Sequence, residues 1–321
     1  MLSRSRFRHP CARESHDELQ TSWDRLTAEA GARRRIFGRS RDGRPLVSYE
    51  LGDRGPRVLL TASMHGIEII GALALREVVR AFVQRELPPM RLSIAPILNP
   101  DALATNLTRA RRGQRAWQRG NAGGVDLNRN FPSMTASRFL HPFAGSSFRL
   151  APHYGGPHAF SEPETRALRD LVTDDPPRLH LGFHSFGNLL LYPWAFTDAP
   201  HPRRLEYEAL CHAFNGAVSQ RYEARQAQAL YPTIGDLDDW LDATFDTRSL
   251  TVEVGRPSRR LLHPRRLSDP FHWMNCDDAD RAIDDLVPGV LALLSHATRE
   301  GADRPRPARA PSSIPFDLAA R

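Results

Sequence analysis

His65 and Glu68 stand three residues apart in His65-Gly66-Ile67-Glu68, and both side chains are good ligands for a divalent metal. The run before them, Arg57-Val58-Leu59-Leu60, is apolar and has the length of a buried strand. After them, Leu75, Val78, Val79 and Phe82 recur at helical spacing, opposite Arg76, Glu77 and Arg80. The pair therefore straddles a strand-to-helix turn, where residues at this separation can point at one atom. The same pattern fits a solvated helix start, so a metal reading needs a further ligand. A catalytic zinc takes three protein ligands and keeps a fourth position for water.

The third ligand is sought among the other histidines. His184, in Leu181-Gly182-Phe183-His184, ends a short apolar strand, and strand ends are where α/β proteins place their sites. His180 lies on the same strand face, but four residues at about 3.3 Å each put it roughly 13 Å away, too far to share a metal. His141, His153 and His158 fall in a loop and are weaker candidates. In Leu250-Thr251-Val252-Glu253-Val254, alternation sets Glu253 and Thr251 on the face opposite three apolar residues. A carboxylate there either faces water at a sheet edge or has a partner or a task.

The remaining elements must position these groups. Ser15 to Glu18 resembles a capping box for a helix from Leu19 to Ala30. A strand begins at Ile36, Asp42-Gly43 marks a hairpin turn, and Pro45–Leu51 returns. Leu92–Leu98 is another strand, ended by Asn99-Pro100-Asp101, and residues 102–124 read as loop with one helical turn. Residues 133–160 are too long for an ordinary connection and suit a functional surface loop. Ser161 to Glu164 resembles a second capping box. Strands follow at Leu179–Phe183, Leu189–Tyr192 and Leu250–Val254, with a helix from His201 to Tyr222. An amphipathic helix from Asp277 to His296 carries Pro288, which predicts a kink or a split. This alternation predicts a single α/β domain. Residues 1–35 are expected to form an N-terminal helical extension, 36–300 the main domain, and 301–321 a disordered Pro/Arg-rich tail.

Composition narrows the function. The chain has 321 residues, a net charge of +7 and three widely spaced cysteines, which form neither a disulfide framework nor a C-x-x-C metal pair. Every basic residue is Arg. Clusters at 33–35, 109–115 and 259–266 would suit nucleic acid, but apart from Trp117 no aromatic platforms are interleaved with them, so nucleic-acid binding is not expected. No apolar run nears the roughly 20 residues that span a bilayer. The N-terminus has no apolar core of a secretory signal, so a cytoplasmic location and no membrane partner are expected.

Taken together, His65-Gly66-Ile67-Glu68, Gly124 to Phe131, His184-Ser185, Tyr231 with Asp239-Trp240, and Thr251-Val252-Glu253 resemble, in order and spacing, the zinc metallocarboxypeptidases of the carboxypeptidase A type. Asn99-Pro100-Asp101 and Phe160 to Thr165 are similar to its bacterial cytoplasmic members. The resemblance runs from about Ile36 to Pro257. It implies a mixed, mostly parallel sheet of about eight strands with helices on both faces. It implies one zinc ion held by His65, Glu68 and His184, with Glu253 as general base and then proton donor. Arg119 would stabilise the oxyanion, with Arg112 and Arg115 as rivals. Asn128 and Arg129 would bind the C-terminal carboxylate of a peptide substrate, and Tyr231 would close over it. Seven residues beyond Tyr231, Asp238 would lie at the bottom of the pocket for the C-terminal side chain, favouring a basic or diaminopimelate-type residue; it is equally a residue favoured at a helix start.

Two departures from the family pattern bear on these expectations. The segment before the first strand is short for an inhibitory prodomain, so no zymogen is expected. Pro232-Thr233-Ile234 replaces small residues after the tyrosine and limits lid movement. Two other readings compete. One is an N-acyl-amino-acid deacylase of the aspartoacylase type, which shares the H-x-x-E pair, the later His and an Asp-Leu-Asn-Arg stretch. The other is a non-catalytic zinc-binding relative.

Overall fold

A computed structural model describes residues 9–135, 141–257 and 267–301. Eight strands form one mixed sheet: β1 (Arg33–Arg39), β2 (Pro45–Leu51), β3 (Arg57–Ala62), β4 (Arg91–Ala95), β5 (Leu179–His184), β6 (Leu189–Tyr192), β7 (Glu223–Gln226) and β8 (Arg248–Glu253). Their order is β1-β2-β4-β3-β5-β8-β6-β7. The central strands β4, β3, β5 and β8 run parallel, as do β6 and β7, while β1, β2 and β6 join antiparallel. The expected α/β class and mixed sheet are present.

Helices cover both faces, and β3 and β5 are buried along their whole length. Val58, Leu60 and Ala62 of β3, Leu181 and Phe183 of β5, and Leu250 and Val252 of β8 join one core. That core is closed by α1 (His16–Glu29), α2 (Ile69–Val83), α5 (Arg204–Asn215) and a long C-terminal helix, α8 (Ala279–Gly301). Leu59 and Ala95 face the other core, built with α4 (Pro163–Thr173) and α6 (Leu237–Phe245) through Leu168, Leu171, Val172, Trp240 and Leu241. Alternation along the strands thus assigns Thr61, His180, Gly182, His184, Ser249, Thr251 and Glu253 to the α6 side of the sheet.

The Ser15 capping box forms as expected. Five other expectations change. The first strand begins at Arg33, its solvent-facing arginines masking the start of an edge strand. Residues 100–111 form a helix, α3, in place of a loop: Asn99 caps it by accepting the Ala102 N–H and Pro100 sits in the first turn. At 161–164 the cap residue is Glu162, without a side-chain capping bond. The helix expected over 201–222 spans Arg204–Asn215 and is followed by β7. One more short helix, α7 (Phe271–Met274), precedes α8. In α8 Pro288 does not split the element: one helix runs from Ala279 to Gly301. Its buried face, including Leu286, Val290, Leu291 and Leu294, packs on α2 and α5 and outweighs the roughly 3 kcal/mol that an internal proline costs. The tail at 302–321 and the arginines at 259–266 lie outside the described residues. Among the described residues no helix is long and apolar enough to cross a membrane.

One contact sets the distance between α2 and β5. A Cβ added at Gly71 would lie 2.6 Å from the Phe183 carbonyl oxygen, next to His184 and one helical turn from Glu68. Gly71→Ala is therefore expected to destabilise by about 1–3 kcal/mol through overpacking, more than the gain in helix propensity returns. Urea unfolding of the zinc-loaded protein measures it; an unchanged or higher midpoint would show that α2 has room to move away from β5.

Candidate metal centre and substrate cleft

The turn after β3 is shaped by two residues. Ser63 adopts a left-handed conformation with φ of 50°. At Gly66 a Cβ would stand 2.3 Å from Ala102 Cβ, so the glycine between the two candidate ligands is needed where α3 meets the turn. Glu68 then occupies the N-cap position of α2. His184 ends β5, level with Glu253 on β8.

His65, Glu68 and His184 converge. His65 Nδ1 lies 2.9 Å from Glu68 Oε1, His184 Nδ1 lies 2.9 Å from Glu68 Oε2, and the two Nδ1 atoms are 3.1 Å apart. All three residues are buried. Burial alone would push the Glu68 carboxyl up, but the two imidazoles outweigh it and hold it below the ordinary range. Burial lowers His184, against the pull of Glu68.

The chemistry of the donors fits a metal. Asp126 Oδ1 lies 3.2 Å from His65 Nε2 and, as a carboxylate, can only accept. The proton of His65 therefore sits on Nε2, and the Nδ1 lone pair faces Glu68 and His184. An outer carboxylate that fixes the tautomer of a ligand histidine is the usual companion of a zinc site. A second cluster, His9, His272 and Asp277, also gathers three donor atoms within 4.8 Å of one another. There His9 Nδ1 accepts the Cys11 N–H, which leaves the proton on Nε2, 3.8 Å from Asp277 Oδ1. That geometry is an imidazole–carboxylate pair.

Asp126, unassigned by the sequence reading although it lies in the Asp126-Leu127-Asn128-Arg129 stretch, organises this side of the site. Its Oδ2 accepts from Arg119 Nε at 2.9 Å and faces His153 Nδ1 at 3.1 Å, and its Oδ1 also accepts the Asn128 N–H. Burial opposes its ionisation, yet Arg119, His65 and His153 hold it well below the ordinary carboxylate range. Arg119 reaches on to Glu68 Oε1 at 3.3 Å. Burial works against its charge, but Asp126 and Glu68 raise its pKa. Arg112 and Arg115 are exposed. Of the three rivals, Arg119 is the one at the cluster.

Glu253 faces the cluster from β8. Its Oε2 is buried and has no hydrogen-bond partner. Burial, then the negative charges of Glu68 and Asp238, push its pKa well above the ordinary value, against Arg119. A carboxylate made more basic in this way is suited to take up a proton.

The substrate-side residues are arranged less openly. Arg129 is only 2% exposed, and its Nε and Nη2 both donate to the Phe143 carbonyl, at 3.1 and 2.8 Å. Nη1 donates to the Asn128 carbonyl. Asn128 Oδ1 accepts the Leu237 N–H at the start of α6. Half-buried Tyr231 stacks on His141 and meets Phe143 edge-on, so residues 141–143 cover Arg129 from the Tyr231 side. His141 thus serves an aromatic contact, and exposed His158 bonds the neighbouring Ala159 carbonyl. Asp238, in the first turn of α6, accepts from His180, Ser249 and Thr251. Burial is outweighed by these donors, and its pKa lies below the ordinary value.

Comparison with known proteins accords with this geometry. The profile of the zinc carboxypeptidase family matches residues 21–270. Carboxypeptidase B of Astacus astacus is 27% identical over 248 residues, covering 70% of this chain and 77% of that protein. Among solved structures, carboxypeptidase A from Helicoverpa armigera superposes with a TM-score of 0.74 at 20% identity, over 91% of this chain and 75% of that one. A murein-tripeptide amidase, MpaA from Escherichia coli O157, gives a TM-score of 0.53 at 23% identity, over 82% of this chain and 91% of that one. At these identities the structural likenesses establish the fold.

His184→Ala is expected to lose zinc and His180→Ala to keep it, as metal analysis after dialysis against a chelator would show. Asp126→Asn should keep the site but weaken zinc binding about 10–100-fold, the usual worth of an outer-shell partner. Zinc that survives chelation in His184→Ala would move the third ligand elsewhere.

Proposed function

The chain belongs to the zinc carboxypeptidase family, and from that premise we propose that it hydrolyses the C-terminal peptide bond of peptides, with His65, Glu68 and His184 holding the zinc ion. The reading is carried by one observation: three buried donors share a focus, and an unpartnered Glu253 carboxyl faces them from the neighbouring strand. When bound, zinc polarises the scissile carbonyl and acidifies water.

The protein's own groups do the rest. Glu253 takes a proton from the attacking water and passes it to the leaving amine. Arg119, fixed through its Nε by Asp126, offers its remaining N–H groups to the developing oxyanion. Arg129 and Asn128 are assigned the substrate's terminal carboxylate, with the guanidinium exchanging the Phe143 carbonyl for the carboxylate oxygens. Tyr231, already packed on residues 141 and 143, would close over the bound peptide.

Asp238 supplies the preference for the C-terminal side chain. Its side chain is 15% exposed, and both carboxylate oxygens are held by neighbouring donors. A basic side chain, or the amino end of a diaminopimelate residue as in peptidoglycan peptides, pairs with it, whereas an apolar side chain leaves the charge uncompensated. The fold shared with a murein-tripeptide amidase makes the second substrate class worth testing alongside the first.

Glu253→Gln is expected to lower turnover about 10²–10⁴-fold with zinc retained. Lost zinc, or activity within about tenfold of the parent, would remove Glu253 from the role of base. For the pocket, peptides ending in Arg, Lys, Leu and Phe are compared in the parent and in Asp238→Ile. The parent should favour Arg and Lys and the variant Leu and Phe; equal or better cleavage of Leu and Phe by the parent would take Asp238 out of the pocket.

A further inference from the structure

The residues around Asp238 form a row across the α6 side of the sheet. His180 is level with Leu59 on β3 and with Ser249 on β8, and one pair further along Gly182 is level with Thr61 and Thr251. On β5 itself, His180, Gly182 and His184 share this face. A Cβ at Gly182 would come within 3.2 Å of His180 Cε1 and 3.6 Å of His184 Cδ2. The glycine leaves the space in which two imidazoles fit on one strand face.

His180 is buried, at 1% exposure, and both ring nitrogens are engaged. Nδ1 lies 2.9 Å from Asp238 Oδ1 and 2.8 Å from Ser249 Oγ; Nε2 lies 2.8 Å from Thr61 Oγ1. A carboxylate only accepts, so Nδ1 carries the proton toward Asp238, and the Thr61 hydroxyl donates to Nε2. The threonine thereby fixes the tautomer, and the imidazole, together with the Ser249 hydroxyl, holds one carboxylate oxygen. The other oxygen accepts from the Thr251 hydroxyl. A carboxylate held by hydrogen bonds from two strands is pinned in orientation.

We infer that His180 is a positioning residue for substrate selection: locked by Thr61, it aims the Asp238 carboxylate at the cationic side chain of the substrate's C-terminal residue. This rests on the reading of Asp238 given above. A sheet-filling histidine would support all substrates alike. A histidine that aims the carboxylate supports only those with a cation to meet it, and does so through KM.

The test compares kcat and KM for two peptides that differ only in a C-terminal Arg or Leu, using zinc-loaded protein. Asparagine places its amide nitrogen where Nδ1 sits, and glutamine where Nε2 sits. His180→Gln should therefore lower the Arg-over-Leu preference about tenfold, the worth of one hydrogen bond to a charged group, with the loss in KM for the Arg peptide. His180→Asn should restore most of it. Thr61→Val, which frees the ring without touching Asp238, should lower the preference about threefold, the scale of one neutral hydrogen bond, and keeps the idea testable if His180→Gln does not fold. Equal losses for both peptides, or an unchanged preference in His180→Gln or in Thr61→Val, would overturn the role of His180. Asp238→Asn is measured in parallel: if it alone removes the preference, the pocket reading stands and only His180 falls; if it changes nothing, both fall.

Discussion

His65 lies between two buried carboxylates, with Glu68 at one ring nitrogen and Asp126 at the other, and this arrangement governs the rest of the site. A carboxylate removed from water must be paired, or it takes up a proton. Asp126 meets that demand with Arg119, His153 and a main-chain N–H; Glu68 meets it with the two imidazoles and Arg119. Three carboxylates, counting Glu253, face one guanidinium, and a divalent cation balances the set. Exchanging any one member for a neutral residue leaves a charge behind, which is why the shell around the ligands is as constrained as the ligands.

The fold delivers these groups by simple means. Parallel β3 and β5 are neighbours, so their carboxyl ends open onto the same edge of the sheet, and the turn and the strand end that follow bring His65 and His184 together. Close approach of α2 to β5 at Gly71 brings Glu68 into reach of both. The α6 side of the sheet, less apolar at β3, β5 and β8 than the opposite side, is where polar residues accumulate, and they do so beneath the cleft. Arg129 adds a constraint of its own: its guanidinium is satisfied by the Phe143 and Asn128 carbonyls, so a carboxylate must compete with main-chain oxygens.

Much of this was legible in the sequence, and the reasons differ by residue. Strands β3, β5 and β8 announce themselves as short apolar runs, and His65, Glu68, His184 and Glu253 stand out because polar groups break such runs or end them. The helix α3 was hidden because its buried residues include Asp101 and Asn106, so its pattern of apolar positions is thin; the Asn99-Pro100 start was the signal to read. Asp126 was hidden by its neighbours, since nothing local separates a carboxylate that orients a histidine from one that caps a turn. The Phe143 partner of Arg129 and the partners of His180 lie 14 to 119 positions away, which no local pattern encodes.

The two histidines of the cluster are 119 residues apart in the chain. An unfolded chain offers only the His65–Glu68 pair, too few donors to hold a zinc ion tightly, so the full set exists only once β3 and β5 have paired. If these three residues hold the zinc ion as proposed, it binds the native state in strong preference to the unfolded one and stabilises it by mass action. The ion consequently acts as a latch on the central parallel pair: metal loss and strand separation become linked events. The lifetime of the folded enzyme will follow the free zinc concentration of its surroundings, independently of any substrate.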